Sequence, residues 1–166
     1  KLIEANGYQA GDSDETRIGT LYRYNAAGWL TEKREPVQQG GDGHVRYRLT
    51  EYRYDLAGNL SEERRYQDFQ SEESAAGPVL SIFFAYDQDD RLVQVSDSTG
   101  AAVEYSYNSH NQRTMEKRKL GEDLYQIFRW KYDPAGRMVE LSRSMDRPDG
   151  SRGFAVSRYD YDKNGN

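Results

Sequence analysis

One short pattern recurs along the whole chain and constrains its fold more than any other feature. It reads YRYNAAGWL (22–30), YRYDLAGNL (52–60), FAYDQDDRL (84–92), YSYNSHNQR (105–113), WKYDPAGRM (130–138) and YDYDKNGN (159–166). The consensus is aromatic-x-Tyr-[Asp/Asn]-x-x-Gly-x-Leu. Its second aromatic falls at Tyr24, Tyr54, Tyr86, Tyr107, Tyr132 and Tyr161, at intervals of 30, 32, 21, 25 and 29 residues. A fixed motif at a varying interval marks one local structure joined by loops of different length.

Each position has a physical reading. Aromatics at i and i+2 share one face of a strand, and the residue between them points to the other face. Asp or Asn starts a turn by accepting from the backbone N–H two residues on. The glycine takes positive φ, so a type I turn closed by a left-handed residue in a G1 bulge joins the two strands. Asp90 and Asn111 replace that glycine in the third and fourth copies, and these residue types tolerate the left-handed region best after glycine. Leu or Met then restarts the apolar alternation.

Alternation between the motifs also reads as strand. Leu80, Ile82, Phe84 and Tyr86 form one face; so do Val103, Tyr105 and Tyr107, and Leu124, Phe128, Trp130 and Tyr132. Turn formers gather at the far ends: GGDG (40–43), ESAAGP (73–78), DSTG (97–100), LGED (120–123) and DRPDGSRG (146–153). Each repeat is therefore a hairpin with a uniform turn at one end and a variable loop at the other. About a dozen strands and no substantial helix are expected, as one array over 1–166. Lys1-Leu2-Ile3-Glu4 matches Arg137-Met138-Val139-Glu140, and the chain stops just after a motif glycine. The expectation is a section of about six repeats from a longer array, whose N-terminus is not a translation start.

Composition narrows the function. Leu, Ile, Val and Phe make only 28 of 166 residues, a level typical of disorder. The 14 Tyr, 5 Phe and 2 Trp argue otherwise, because buried rings supply the core that aliphatics do not. A net charge of −5 without a basic block argues against nucleic acid. No apolar run reaches the ~18 residues of a membrane span. Absent cysteine excludes disulfides, thiolate metal sites and thiol nucleophiles.

The aromatic-x-Tyr-Asp-x-x-Gly-x-Leu array resembles the YD-repeat, or Rhs-repeat, family over essentially the whole chain. That family includes bacterial Rhs polymorphic toxins, the cocoon components of insecticidal Tc toxin complexes and the teneurin shell. The resemblance implies an all-β antiparallel meander forming a curved open sheet, a section of a spiral β-shell. It implies a secreted or extracellular, non-enzymatic role, with the bacterial branch favoured. The partners implied are the rest of the shell, an enclosed C-terminal toxin or effector domain, and components of a secretion system or Tc complex. The alternative is an extracellular recognition or adhesion module that binds glycan or protein through its variable loops. Bacterial members end their core in a self-cleaving Asp-Pro-x-Gly followed by a hydrophobic residue. Asp133-Pro134-Ala135-Gly136 precedes Arg137 and a further repeat, so it reads as a turn whose φ proline presets.

No catalytic, cofactor or metal residue is assigned. The Asn25, Asp55, Asp87, Asn108, Asp133 and Asp162 column is structural, because Asn cannot act as a general acid or base. Asp160-x-Asp162-x-Asn164-Gly165 matches half of a calcium loop, yet Asp160 lies between strand aromatics. Asp87, Asp89 and Asp90 invite the same thought. His44, near a glycine-rich loop, and His110, in a turn, both read as solvated. Asn59-Leu60-Ser61 is a formal glycosylation sequon at a turn exit. Tyr8 and Tyr66 read as sheet packing rather than sugar platforms.

Overall fold

The computed structural model describes residues 2–4, 19–39, 45–69, 77–146, 151–162 and 165. The chain divides into two compact units, Lys1–Phe83 and Phe84–Asn166. The first holds β1 (Leu2–Glu4), β2 (Leu21–Tyr24), β3 (Leu30–Gln39), β4 (Val45–Tyr54), β5 (Leu60–Phe69) and most of β6 (Leu80–Tyr86). The second holds β7 (Leu92–Asp97), β8 (Ala102–Tyr107), β9 (Arg113–Lys119), β10 (Tyr125–Tyr132), β11 (Met138–Asp146) and β12 (Arg152–Arg158). In both units the strand order is the chain order, and every described pairing is antiparallel. The all-β meander and the dozen strands match the expectation. No helix occurs among the described residues.

The turns form as the motif requires. Gly28, Gly58, Asp90, Asn111 and Gly136 have φ of 84, 96, 57, 60 and 83°. In the first copy the Gly28 N–H donates to the Asn25 carbonyl at 3.1 Å and the Asn25 N–H to the Trp29 carbonyl at 2.9 Å. The same two bonds close the turns at Asp55, Asp87, Asn108 and Asp133. The DSTG stretch lies at the far end, as expected, joining β7 to β8, and it closes with the same two backbone bonds as the motif turns. Its Gly100 has φ 93° and donates to the Asp97 carbonyl at 3.1 Å. The GGDG stretch, most of ESAAGP and half of DRPDGSRG lie outside the described residues.

Beyond the Asn25, Asp55, Asn108 and Asp133 turns the return strand carries one extra residue. Arg23 stands opposite Glu32 but Tyr24 opposite Leu30, so Thr31 is bulged out. Ser61, Thr114 and Val139 occupy the same place in their hairpins. On its other side the return strand stops pairing with the next hairpin at Glu32–Glu51, Gln94–Glu104, Met115–Arg129 and Glu140–Arg158. The carbonyl two residues nearer the turn therefore lies past the end of the ladder. The second motif tyrosine of the next hairpin takes it. The hydroxyls of Tyr54, Tyr107, Tyr132 and Tyr161 donate to the carbonyls of Leu30, Leu92, Arg113 and Met138 at 2.8, 2.8, 2.7 and 2.7 Å.

The residue after the left-handed position adds a second join. Trp29 lies 5.2 Å from the Tyr54 ring, Arg91 5.2 Å from Tyr107 and Arg137 4.7 Å from Tyr161. Gln112 donates to the Gly136 carbonyl at 2.8 Å. Successive turns thus stack on one another within each unit. The sixth copy departs from the pattern, because β12 ends at Arg158 and the tyrosines that follow lie outside the strand. The Tyr159 N–H nonetheless donates to the Val139 carbonyl at 3.0 Å.

Burial differs from the expectation of an aromatic core. Leu49, 4% exposed, is the only buried apolar side chain among the described residues, whereas Tyr24 and Trp29 are 38% and 36% exposed. Among the described residues, the extensive strand contacts run between neighbours in sequence. The ring contacts are few among the described residues: Trp29 lies tilted against Tyr54 at 5.2 Å and Phe128 stacks with Trp130 at 6.2 Å.

Replacing Tyr54 or Tyr107 by Phe is expected to cost about 0.5–1.5 kcal/mol each by chemical denaturation. Tyr105→Phe, at the first aromatic position, is the control and should cost less. Gly58→Ala should destabilise more than Gly28→Ala. Both incur the ~1–2 kcal/mol of left-handed strain, but only at Gly58 does an added Cβ meet Trp29, at 2.9 Å.

Candidate functional site

Three groupings of polar side chains emerge from this framework. The first is the row of turn carboxylates and amides. Asn25 Oδ1 accepts from the N–H groups of Ala27 and Trp29 at 3.0 and 2.9 Å. Asp55 accepts likewise from Ala57 and Asn59, Asp87 from Asp89 and Arg91, Asp97 from Thr99 and Ala101, and Asn108 from His110 and Gln112. Asp133 accepts from the Arg137 N–H at 2.9 Å and from its guanidinium at 2.8 Å. These bonds hold the carboxyls below their ordinary range. The main cause is the Asn59 N–H for Asp55, the Arg91 guanidinium for Asp87, the Thr99 hydroxyl for Asp97 and the Arg137 N–H for Asp133. Such depression keeps the groups ionised, the wrong state for a general acid at neutral pH.

The second grouping went unread in the sequence. The residue between the motif aromatics faces a glutamate on the return strand, and a second cation closes on the same carboxylate. Arg23 and Arg34 hold Glu32, Arg53 and Arg64 hold Glu62, and Lys131 and Arg158 hold Glu140. The Glu140 carboxyl is lowered chiefly by its bond from Lys131. In the fourth copy Ser106 stands opposite Met115, and both charges are missing together.

The third is a groove of about 770 Å³ across β3, β4, β5 and the start of β6 in the first unit. Its rows follow the strand register. Lys33, Thr50, Arg65 and Leu80 lie side by side, flanked by Tyr52 with Glu63 and by Glu35 with Arg48. Thr50 is 7% exposed and forms the floor. Lys33 pairs with Glu35 at 2.8 Å and Arg65 with Glu63 at 2.6 Å. Val79 and Leu80 add an apolar wall. Burial pushes the Tyr52 phenol up, and the Glu63 charge adds to this. The Lys33 ammonium is raised by its bond to Glu35. Both shifts run away from neutral pH, so neither group exchanges a proton there. The chemistry offered is binding.

Two backbone irregularities frame the groove. Register shifts lie between Pro36 and Gln38 on β3 and between Tyr47 and Leu49 against β5. Every other described shift sits beside a motif turn. Pro36 was the available signal, since proline inside a strand marks an edge or a bulge.

Of the remaining candidate residues singled out in the sequence, Tyr66 lines this groove and the others that are described lie outside it. His110 is exposed in its turn, on a shallow depression of about 510 Å³ with Trp130, Tyr132 and Pro134. Asp87 and Asp89 meet Arg91 at 2.8 and 3.4 Å. The Asn59 side chain donates to Asp55 at 3.4 Å, and Tyr66 donates to Glu51 at 2.8 Å. Among the described residues no three His, Cys, Asp or Glu side chains converge on a metal position. His44, Tyr8 and Asn164 lie outside the described residues. Comparison with protein-family models and with the curated proteins finds no match.

The turn carboxyls set a pH dependence. Each titrates below its ordinary value in the folded chain, so the stability it contributes is complete above the unfolded carboxylate range and is lost as pH falls through it. Thermal melts from about pH 7 to about pH 3 should therefore show falling Tm. Asp55→Asn should flatten that fall while keeping the turn at neutral pH, because Asn25 and Asn108 make the same two bonds.

Proposed function

We propose that this chain is a structural segment of a YD-repeat shell, in which stacked hairpins form a wall around a C-terminal toxin or effector domain of the same polypeptide. The observation that carries the reading is the recurring junction: Tyr54 on Leu30, Tyr107 on Leu92, Tyr132 on Arg113 and Tyr161 on Met138. A join that repeats hairpin after hairpin extends a sheet by simple addition, and a long extended sheet serves as a barrier. The scarcity of buried apolar side chains agrees with a wall rather than a globule built around its own centre. The further partners proposed are secretion-system or Tc-complex components, in a secreted or extracellular setting. No described helix is long and apolar enough to cross a membrane.

A recognition or adhesion module is the second reading, favoured by the groove over Thr50. In that case the ligand meets strands, not the variable loops.

Protease protection separates the two readings. In the natural full-length polypeptide, a domain following the array is expected to resist trypsin until the array is denatured, and to be digested readily when expressed alone. Equal digestion rates, or a polypeptide with no domain beyond the array, overturn the shell reading.

A further inference from the structure

The groove in the first unit holds three cations and two carboxylates. Lys33 is taken by Glu35 and Arg65 by Glu63. Arg48 stands directly opposite Glu35 in the register, but no ion pair holds it among the described residues. It is exposed, on the strand segment that both framing register shifts border. A bulge bends its strand and re-aims neighbouring side chains, and bulges gather where a sheet carries a site. Here two of them border the same three-residue stretch of β4, away from the motif turns.

We propose that this groove binds an extended acidic peptide segment, with a ligand carboxylate on the Arg48 guanidinium and an adjacent apolar side chain against Val79, Leu80 and the Tyr52 ring. Charge complementarity selects the anion: the groove has one more cation than carboxylate, and a guanidinium meets a carboxylate through two parallel N–H bonds. Glu35 and Glu63 are both engaged by cations, which leaves Arg48 as the charge in the groove that a ligand anion can meet. A carboxylate beside a hydrocarbon body matches the rest of the lining, which is the Arg48 guanidinium, the Tyr52 and Tyr66 rings, the Gln67 amide, and Val79 with Leu80. The volume lies within the ~300–1,000 Å³ usual for ligand sites. The proposal stands whether or not the array encloses a further domain.

The test is fluorescence anisotropy on the full chain, using a labelled peptide of alternating Glu and Leu and its Gln/Leu counterpart. The Glu peptide is expected to bind at least about tenfold more tightly than the Gln peptide, a difference of ~1.4 kcal/mol, and to weaken as salt rises. Arg48→Ala should abolish that preference and Arg48→Lys should keep part of it. Arg143→Ala, at an exposed arginine of the other unit, should leave it unchanged. Circular dichroism of each variant establishes that the sheet is retained. A second set of variants, Leu80→Ser and Val79→Ser, should weaken both peptides by removing the apolar wall. Equal affinity for the two peptides, indifference to Arg48→Ala, or equal loss in Arg143→Ala overturns the proposal. Tighter binding of an oligoglucuronate than of the Glu peptide also overturns it, assigning the groove to acidic sugars.

Discussion

A phenolic hydroxyl meeting a backbone carbonyl is the interaction on which the rest of this sheet depends. After the Asn25 turn, where Thr31 is the extra residue, the ladder to the next hairpin stops at Glu32. A carbonyl such as that of Leu30 would then face the next hairpin without a backbone donor. Its tyrosine partner supplies one, and in doing so brings the aromatic ring under the residue that follows the preceding turn. Trp29 over Tyr54 and Arg137 over Tyr161 are consequences of that placement. So is the crowding at Gly58, where a side chain would collide with Trp29. Glycine there answers two demands at once, backbone conformation and space.

A sheet with so few buried apolar side chains draws its cohesion from its own strands and cross-strand side-chain pairs. Each exposed ion pair contributes at most about 1 kcal/mol. The arrangement matters more than any single member. Glu32, Glu62 and Glu140 each sit between two cations. Each glutamate thereby offsets the repulsion between its two cations, and no described polar side-chain atom is left buried without a partner. Where the strand residue is Ser106, the acid opposite is replaced by Met115, so neither a lone charge nor an unpaired acid remains.

Much of this fold was legible because the motif specifies local chemistry. Asp or Asn, two permissive residues and a left-handed residue dictate a turn wherever they occur, including the far-end Asp97–Gly100 turn, which lacks the flanking aromatics. The tyrosine join was half legible: the first aromatic varies among Tyr, Phe and Trp, whereas the second is always Tyr. Constancy at one position and variety at the other signals a hydroxyl at work. The acceptor was hidden, because nothing in the residue types around Leu30 or Arg113 says that a backbone carbonyl lies beyond the ladder. The groove was hidden for a similar reason. Lys33, Arg48, Thr50 and Tyr52 look like ordinary alternation until the register brings their strands together, and only Pro36 betrays a bulge. The core expectation failed on geometry, since a residue count shows how many rings exist but not whether a second layer covers them.

The extra residue on β3, β5, β9 and β11 has an architectural consequence. Because the tyrosine bond and the stacked turns fix the register at one margin of the sheet, the opposite margin carries no duty of alignment. Hairpins can therefore differ in length from one repeat to the next without shifting the strands beside them, as the spacings of 21 to 32 residues show. Novel segments spliced into the unaligned margin would leave every strand in its place, so that border is where such an array can diversify.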